Sequence, residues 1–373
     1  MKDISPGSDS SGPAELTEMG GTLFFRAHDG SGSGLWKSDG TKAGTRLIKL
    51  IEPLNLTAVG RTLFFVSHDG SHGSELWKSN GTRAGTVLVK DINPGIDGSF
   101  PENMTNVGGT LFFTANDGSN GDELWKSNGT SAGTVLVKDI NPGTEGSVPY
   151  LFTDVGRTMY FAADNGTSGY ELWKSNGRRR GTNLVKDINP GPEGSFLFDF
   201  TGLGGTLYFA AEDTTTSGHE LWKSDGTSAG TLLVKDINPG PAPSFPTRLT
   251  RVGGTLFFNA FLETTGQELW KSDGTSAGTI LVKDIHPGMA GSFPIELTKV
   301  GRTLFFRGFT ATKGPELWMS DGRRRGTVLV QDINPGVAGS VPEFLTGVRG
   351  TLFFSADDGT TSNELWRTHP RIR

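Results

Sequence analysis

The sequence predicts an all-β protein, an eight-bladed β-propeller of four-stranded antiparallel blades, and three observations carry that prediction. The first is a recurring stretch, Glu-Leu-Trp-Lys-Ser-(Asp/Asn)-Gly-Thr, present without change at 75–82, 123–130, 220–227 and 268–275. All eight tryptophans fall in this stretch or an altered copy of it: Trp36, Trp77, Trp125, Trp173, Trp222, Trp270, Trp318 and Trp366. By subtraction their spacings are 41, 48, 48, 49, 48, 48 and 48 residues, a period that marks a repeat architecture. The second is that each full copy holds four short β-rich runs parted by turn signals, with no helical period. The third is that Leu111-Phe112-Phe113 and Val135-Leu136-Val137 are continuously apolar, as strands covered on both faces are.

Residues 97–142 justify each element in turn. Phe100-Pro101 leads into a first strand ending at Val107, and the Gly108-Gly109 doublet supplies the positive φ angles of a tight hairpin. Thr110–Ala115 is the second strand, Asn116-Asp117-Gly118 a turn, and Glu123–Ser127 the third strand. Asn128-Gly129 turns again, Thr134–Ile140 is the fourth strand, and Asn141-Pro142-Gly143 begins the passage onward. The eighth copy stops after its third strand. The chain opens with Lys2-Asp3-Ile4-Ser5-Pro6-Gly7, which matches the end of a fourth strand such as Lys90-Asp91-Ile92-Asn93-Pro94-Gly95. The last blade is therefore expected to be completed by the N-terminal segment, sparing an unpaired edge. Lys49–Leu54 lacks the Asn-Pro-Gly loop, which accounts for the short first spacing.

Copies that bury their faces on one another form one domain, so 1–373 is expected to be a single domain of eight repeats of about 48 residues. Hydrophobic residues at 34%, with 24 Phe, are enough to fill a large core. A net charge of -5 gives no reason to expect nucleic acid as a partner. The absence of cysteine excludes disulfides and thiolate chemistry, and no apolar run is long enough for a membrane span. Met1-Lys2-Asp3-Ile4 is not a signal peptide.

The repeated core, for example Glu123–Thr134 and Glu268–Thr279, resembles the ELWxxDGT repeat family of bacterial proteins, over nearly the whole chain and in register. The copies depart from it at Gly34, at Met319 and at Arg367-Thr368-His369. The resemblance implies an exported or surface-attached protein, extracellular or at the cell surface with its leader absent here, and brings no catalytic residues.

Positions constant from copy to copy are architecture, since a site formed once need not be written eight times. Thr17, Thr57, Thr105, Thr153, Thr201, Thr250, Thr298 and Thr346 share one place on the first strand, where their hydroxyls would satisfy backbone groups between blades. The tryptophans would pack between blades, with exposed sugar-stacking platforms as the alternative. Asp91, Asp139, Asp187, Asp236, Asp284 and Asp332 suit turn capping, with an acidic metal ring as the alternative. The oxygen-rich turn at 116–123 raises calcium as a cofactor, but its aspartate spacing is that of a hairpin turn. His28 and His68 share one position in adjacent copies and suggest a surface pair.

Variable positions are then where a ligand would be read. Two residues before the threonine stand Glu15, Asp199, Arg248 and Glu296, and one after it Glu18, Asp154, Arg251 and Lys299. On an innermost strand these would line the channel, with Arg248, Arg251 and Lys299 a basic sector and the acids elsewhere on the ring. Arg178-Arg179-Arg180 and Arg323-Arg324-Arg325 are candidate surface contacts in two equivalent turns. No nucleophile elbow, phosphate loop or metal-binding histidine spacing occurs. The expectation is a monomeric, non-catalytic binding or surface-scaffold module with a carbohydrate or protein ligand and no cofactor. The alternatives are a polysaccharide-acting hydrolase or lyase in the central funnel, or an engineered or recently amplified scaffold without a ligand.

Overall fold

The computed structural model describes residues 2–7, 10–213, 218–240 and 242–370. Its regular elements are β-strands, apart from a 3-10 turn at Arg179–Gly181. Among the described residues no helix is long and apolar enough to cross a membrane. Blade three shows the pattern, with Glu102–Val107, Thr110–Asn116, Asp122–Ser127 and Val135–Lys138 paired antiparallel in chain order. Seven sheets are built this way. The eighth, of Glu343–Val348, Thr351–Asp357 and Asn363–Thr368, has three strands.

The chain divides into two compact units, Met1–Leu184 with Gly191–Glu193, and Val185–Pro190 with Gly194–Arg373. The first holds blades one to four and the second blades five to eight, with the division inside the last strand of blade four. Within each unit, first strands lie beside first strands.

Apolar faces meet blade to blade. In the first unit Leu76, Val89 and Ile92 of blade two pack on Leu111, Phe113 and Trp125 of blade three, and in the second Leu221, Val234 and Ile237 pack on Leu256, Phe258 and Trp270. Trp36, Trp77, Trp125, Trp173, Trp222, Trp270 and Trp318 are 3–8% exposed, which removes the sugar-stacking alternative for them. In blades one, two, three and five, two lysines fasten the following blade. Lys78 and Lys126, on third strands, donate to the Gly129 and Gly177 carbonyls of the following turn at 2.6 and 2.8 Å. Lys90, on a fourth strand, lies 5.5 Å from the Trp125 ring centre and donates to Thr134 O at 3.0 Å. Lys283, Trp318 and Thr327 repeat this arrangement in the second unit. The glycine is required in that turn: at Gly177, with φ 78°, an added Cβ would stand 3.0 Å from the Phe112 ring.

Blade eight differs. Met319 and Gln331 replace both lysines that would reach it, and Leu365 is 77% exposed whereas its seven equivalents are buried. At the N-terminus, Lys2 lies 5.2 Å from the Trp36 ring centre and Ile4 packs on Phe25, Ala27 and Trp36. These are the places that fourth-strand Lys and Ile residues take on later blades, so the register assigned from sequence is kept. Residues 2–7 nevertheless form no hydrogen-bonded strand, so that among the described residues the eighth sheet has three.

Candidate functional site: the connector rim

The residues expected to line a channel divide by what their backbone does. Glu15, Asn55, Asn103, Leu151, Asp199, Arg248, Glu296 and Phe344 all have φ between 53° and 61° and sit where the first strand slips register against the second. They are bulge residues, left out of the ladder, and this frees the position to vary. Glu15 accepts a hydrogen bond from Leu56 N at 3.4 Å, and Asp199 accepts one from Arg248 N. The acid at 199 therefore adjoins the basic sector instead of lying elsewhere on a ring. Glu18 accepts from Gly21 N at 2.6 Å and Asp154 from Arg157 N at 3.0 Å, so the position after the threonine caps its own hairpin. Arg248, Arg251 and Lys299 are exposed, and Glu296 is half-buried. The first-strand threonines act between blades as expected: Thr17 donates to Leu56 O and Thr298 to Leu345 O, both at 3.1 Å. Arg178, Arg179, Arg180, Arg323, Arg324 and Arg325 are exposed in their two turns. In the calcium candidate, Asp117 accepts from Ser119 N and Asn120 N at 2.9 Å, closing a hairpin turn.

A second group of strained residues occupies the connectors between blades. Phe100, Val148, Phe196, Phe245, Phe293 and Val341 have φ of 42–47°, a region costly for any side chain. The cause is local. Ser99 N and Phe100 N both donate to Ser74 O at 3.0 Å, and Ser147 N and Val148 N both donate to Asp122 O at 3.0 and 2.9 Å. Two consecutive N–H groups aimed at one carbonyl force the left-handed turn and turn the following side chain outward. The serine hydroxyl meanwhile donates inward to the glutamate of the Glu-Leu-Trp motif, as from Ser99 to Glu75 and Ser244 to Glu220 at 2.6 Å. In blades two to seven that glutamate is fully buried, and it also takes connector N–H groups, Ile237 and Ser244 in blade five at 2.9 Å. Burial outweighs these hydrogen bonds and lifts the Glu220 carboxyl from its ordinary 4.5 to about 7. The capping assigned to Asp91 and its equivalents therefore falls to glutamate, and Oδ1 of Asp91, Asp139, Asp236 and Asp284 is buried with no hydrogen-bond partner among the described residues.

The result in each unit is a rim of apolar side chains held outward, with Phe100 at 59% exposed in the first and Phe196 at 53%, Phe293 at 50% and Phe245 at 45% in the second. Each non-glycine residue in this region costs about 1–3 kcal/mol, and such strain concentrates at working surfaces. Beside the rim lie positions that change from blade to blade: the residue before the motif glutamate and the residue opening the first strand. Blade three offers Asp122 and Glu102, and blade four Tyr170 and Tyr150, whose rings meet edge to face at 5.4 Å. In blade five Phe198 and Phe245 stack on His219 at 5.1 and 5.3 Å. His219 Nε2 donates to Phe196 O at 2.9 Å, and Nδ1 stands 3.3 Å from Glu212 Oε2. Sequence reasoning passed over these positions. Their signal was a residue that differs in every full copy immediately before an invariant Glu-Leu-Trp.

The strand order and the blade-on-blade core define the class: the fold is that of a β-propeller domain. No protein-family model and no curated protein sequence matches the chain. Among solved structures, oligopeptidase B from Leishmania major is similar at a TM-score of 0.50 and 11% identity, over 93% of this chain and 53% of that one. A puromycin hydrolase is similar at 0.45 and 14%, over 95% and 59%, and a Mycobacterium tuberculosis puromycin-hydrolyzing peptidase at 0.44 and 13%, over 95% and 60%. The chain thus spans little more than half the length of these proteins. The expectation of a non-catalytic binding or surface-scaffold module of an exported protein is corrected by this likeness, because oligopeptidase B is a peptidase. The carbohydrate ligand and the polysaccharide-acting alternative are set aside with it.

Proposed function

We propose that this chain is the propeller part of a peptide-acting hydrolase and that the connector rim is the face it turns to polypeptide. The observation that carries the reading is the row of outward Phe and Val side chains kept at positive φ in both units, where glycine would be the relaxed choice. Apolar anchors beside side chains that change from blade to blade suit an extended ligand read at successive points. The fold likeness to oligopeptidase B agrees with this reading, and the hydrolytic residues themselves are assigned to no position of the chain.

The test is panning of a random dodecamer display library against the wild-type chain and against Phe100→Ser/Phe293→Ser. The expected result is a family of enriched peptides whose affinity falls at least about tenfold in the variant. Absence of enrichment, or enriched peptides indifferent to the variant, overturns the reading.

A further inference from the structure

In the first unit the rim opens into a cleft of about 480 Å³ between the connectors entering blades three and four. Phe100 and Val148 form apolar walls, and Asn93, Asn103 and Asn116 contribute amide edges. Asp97, Glu102 and Asp122 also line it, and no lysine or arginine does. One polar atom of each amide is held within the protein: Asn93 Nδ2 donates to Gly98 O at 2.8 Å, Asn103 Nδ2 to Pro149 O at 3.3 Å, and Asn116 Oδ1 accepts from Gly118 N at 2.8 Å. These bonds fix the amides in the wall, and the cleft's only charged groups are the three carboxylates, set beside the apolar walls.

We infer that this cleft takes a cationic side chain of a polypeptide, arginine or lysine, with the alkyl stem against Phe100 and Val148 and the charged head toward the three carboxylates. This rests on the polypeptide-facing reading of the rim. An aliphatic stem between apolar walls ending at anionic groups is the arrangement a long basic side chain complements. An acidic or neutral occupant leaves the carboxylates unopposed. Equivalent positions of other blades carry Tyr150 with Tyr170 or Phe198 with His219, so the preference belongs to this blade and not to the repeat.

Two probes test the inference, each against the wild-type chain and Glu102→Gln/Asp122→Asn. The first is a pair of labelled dodecamers, taken from the panned family, that differ only by arginine or citrulline. The second is agmatine, a cation without a peptide backbone. A preference of tenfold or more for arginine over citrulline, lost in the double variant, supports the assignment. Equal binding of both peptides overturns it and leaves the rim reading standing. Agmatine binding that the variant loses, with no peptide bound, keeps the cleft and overturns the rim reading. Binding of neither probe overturns the assignment. Glu102 is exposed and Asp122 half-buried, and an unchanged melting temperature serves as the folding control.

Discussion

Replacing Glu220 by alanine removes the acceptor of three donors at once: Ile237 N, Ser244 N and Ser244 Oγ. All lie in buried surroundings, and an orphaned buried donor costs about 1–3 kcal/mol. Three of them set a gross loss of about 3–9 kcal/mol, before two offsets. Water entering the vacated space recovers part of it. The variant also escapes burying a charge whose pKa is lifted from 4.5 to about 7, a relief of up to about 3 kcal/mol above neutral pH. The expected net destabilisation is about 2–5 kcal/mol at pH 6, read by urea denaturation with tryptophan fluorescence. The connector of blade five should become the first segment to lose amide protection. A change within 1 kcal/mol of zero would refute the reading that this carboxyl holds the connector (~1 kcal/mol being one ordinary hydrogen bond).

The same group gives a pH dependence of known sign. Its folded pKa is raised, so its contribution is intact below about 4.5 and is lost as pH rises through about 7; Glu220→Gln should flatten that decline, and an equal slope in variant and wild type would contradict it. Trp125→Ala should cost about 3–5 kcal/mol, because the ring is buried between blades, with urea midpoints as the measurement. Lys90→Met removes a cation from the Trp125 face and a donor from Thr134 O, and a loss of about 1–2 kcal/mol is expected in the same assay. Phe293→Gly relieves a φ of 47° at an exposed site and should raise stability by about 1 kcal/mol, whereas destabilisation would mean the ring is held by packing. Strands Glu343–Val348 and Asn363–Thr368 should exchange amide hydrogens faster than their counterparts in blade six, since Met319 and Gln331 supply no lysine clamp.

The blade was legible in the sequence because its determinants are local and repeated. Continuous Leu-Phe-Phe runs, Gly-Gly hairpins and in-register tryptophans each point to a strand, a turn or a packed face. The lysine clamps were visible as constants, but their acceptors are carbonyls of the next blade, and sequence names no backbone partner. The role of the motif glutamate is not legible in sequence, because its partners, Ser99 in one copy and Ser244 in another, lie 24 residues downstream. The candidate site was less legible still. Variable residues around the threonine drew attention as channel groups, yet Glu18 and Asp154 close hairpins, and the residue at 15, 199 or 248 varies because a bulge releases it. An apolar residue such as Phe100, at the entry to a first strand, carries no local sign of facing outward. Only the convergence of two N–H groups on Ser74 O shows why it is turned outward.

The most direct measurement is hydrogen–deuterium exchange of the chain with and without an enriched, arginine-containing dodecamer. If the connector rim is the working face, protection will appear at residues 97–102 and 144–150, and it will be absent from the first-strand bulges at 15, 55, 199 and 248. Protection confined to those bulges, with the connectors unchanged, would place the ligand on the inner edge and contradict the assignment of the rim.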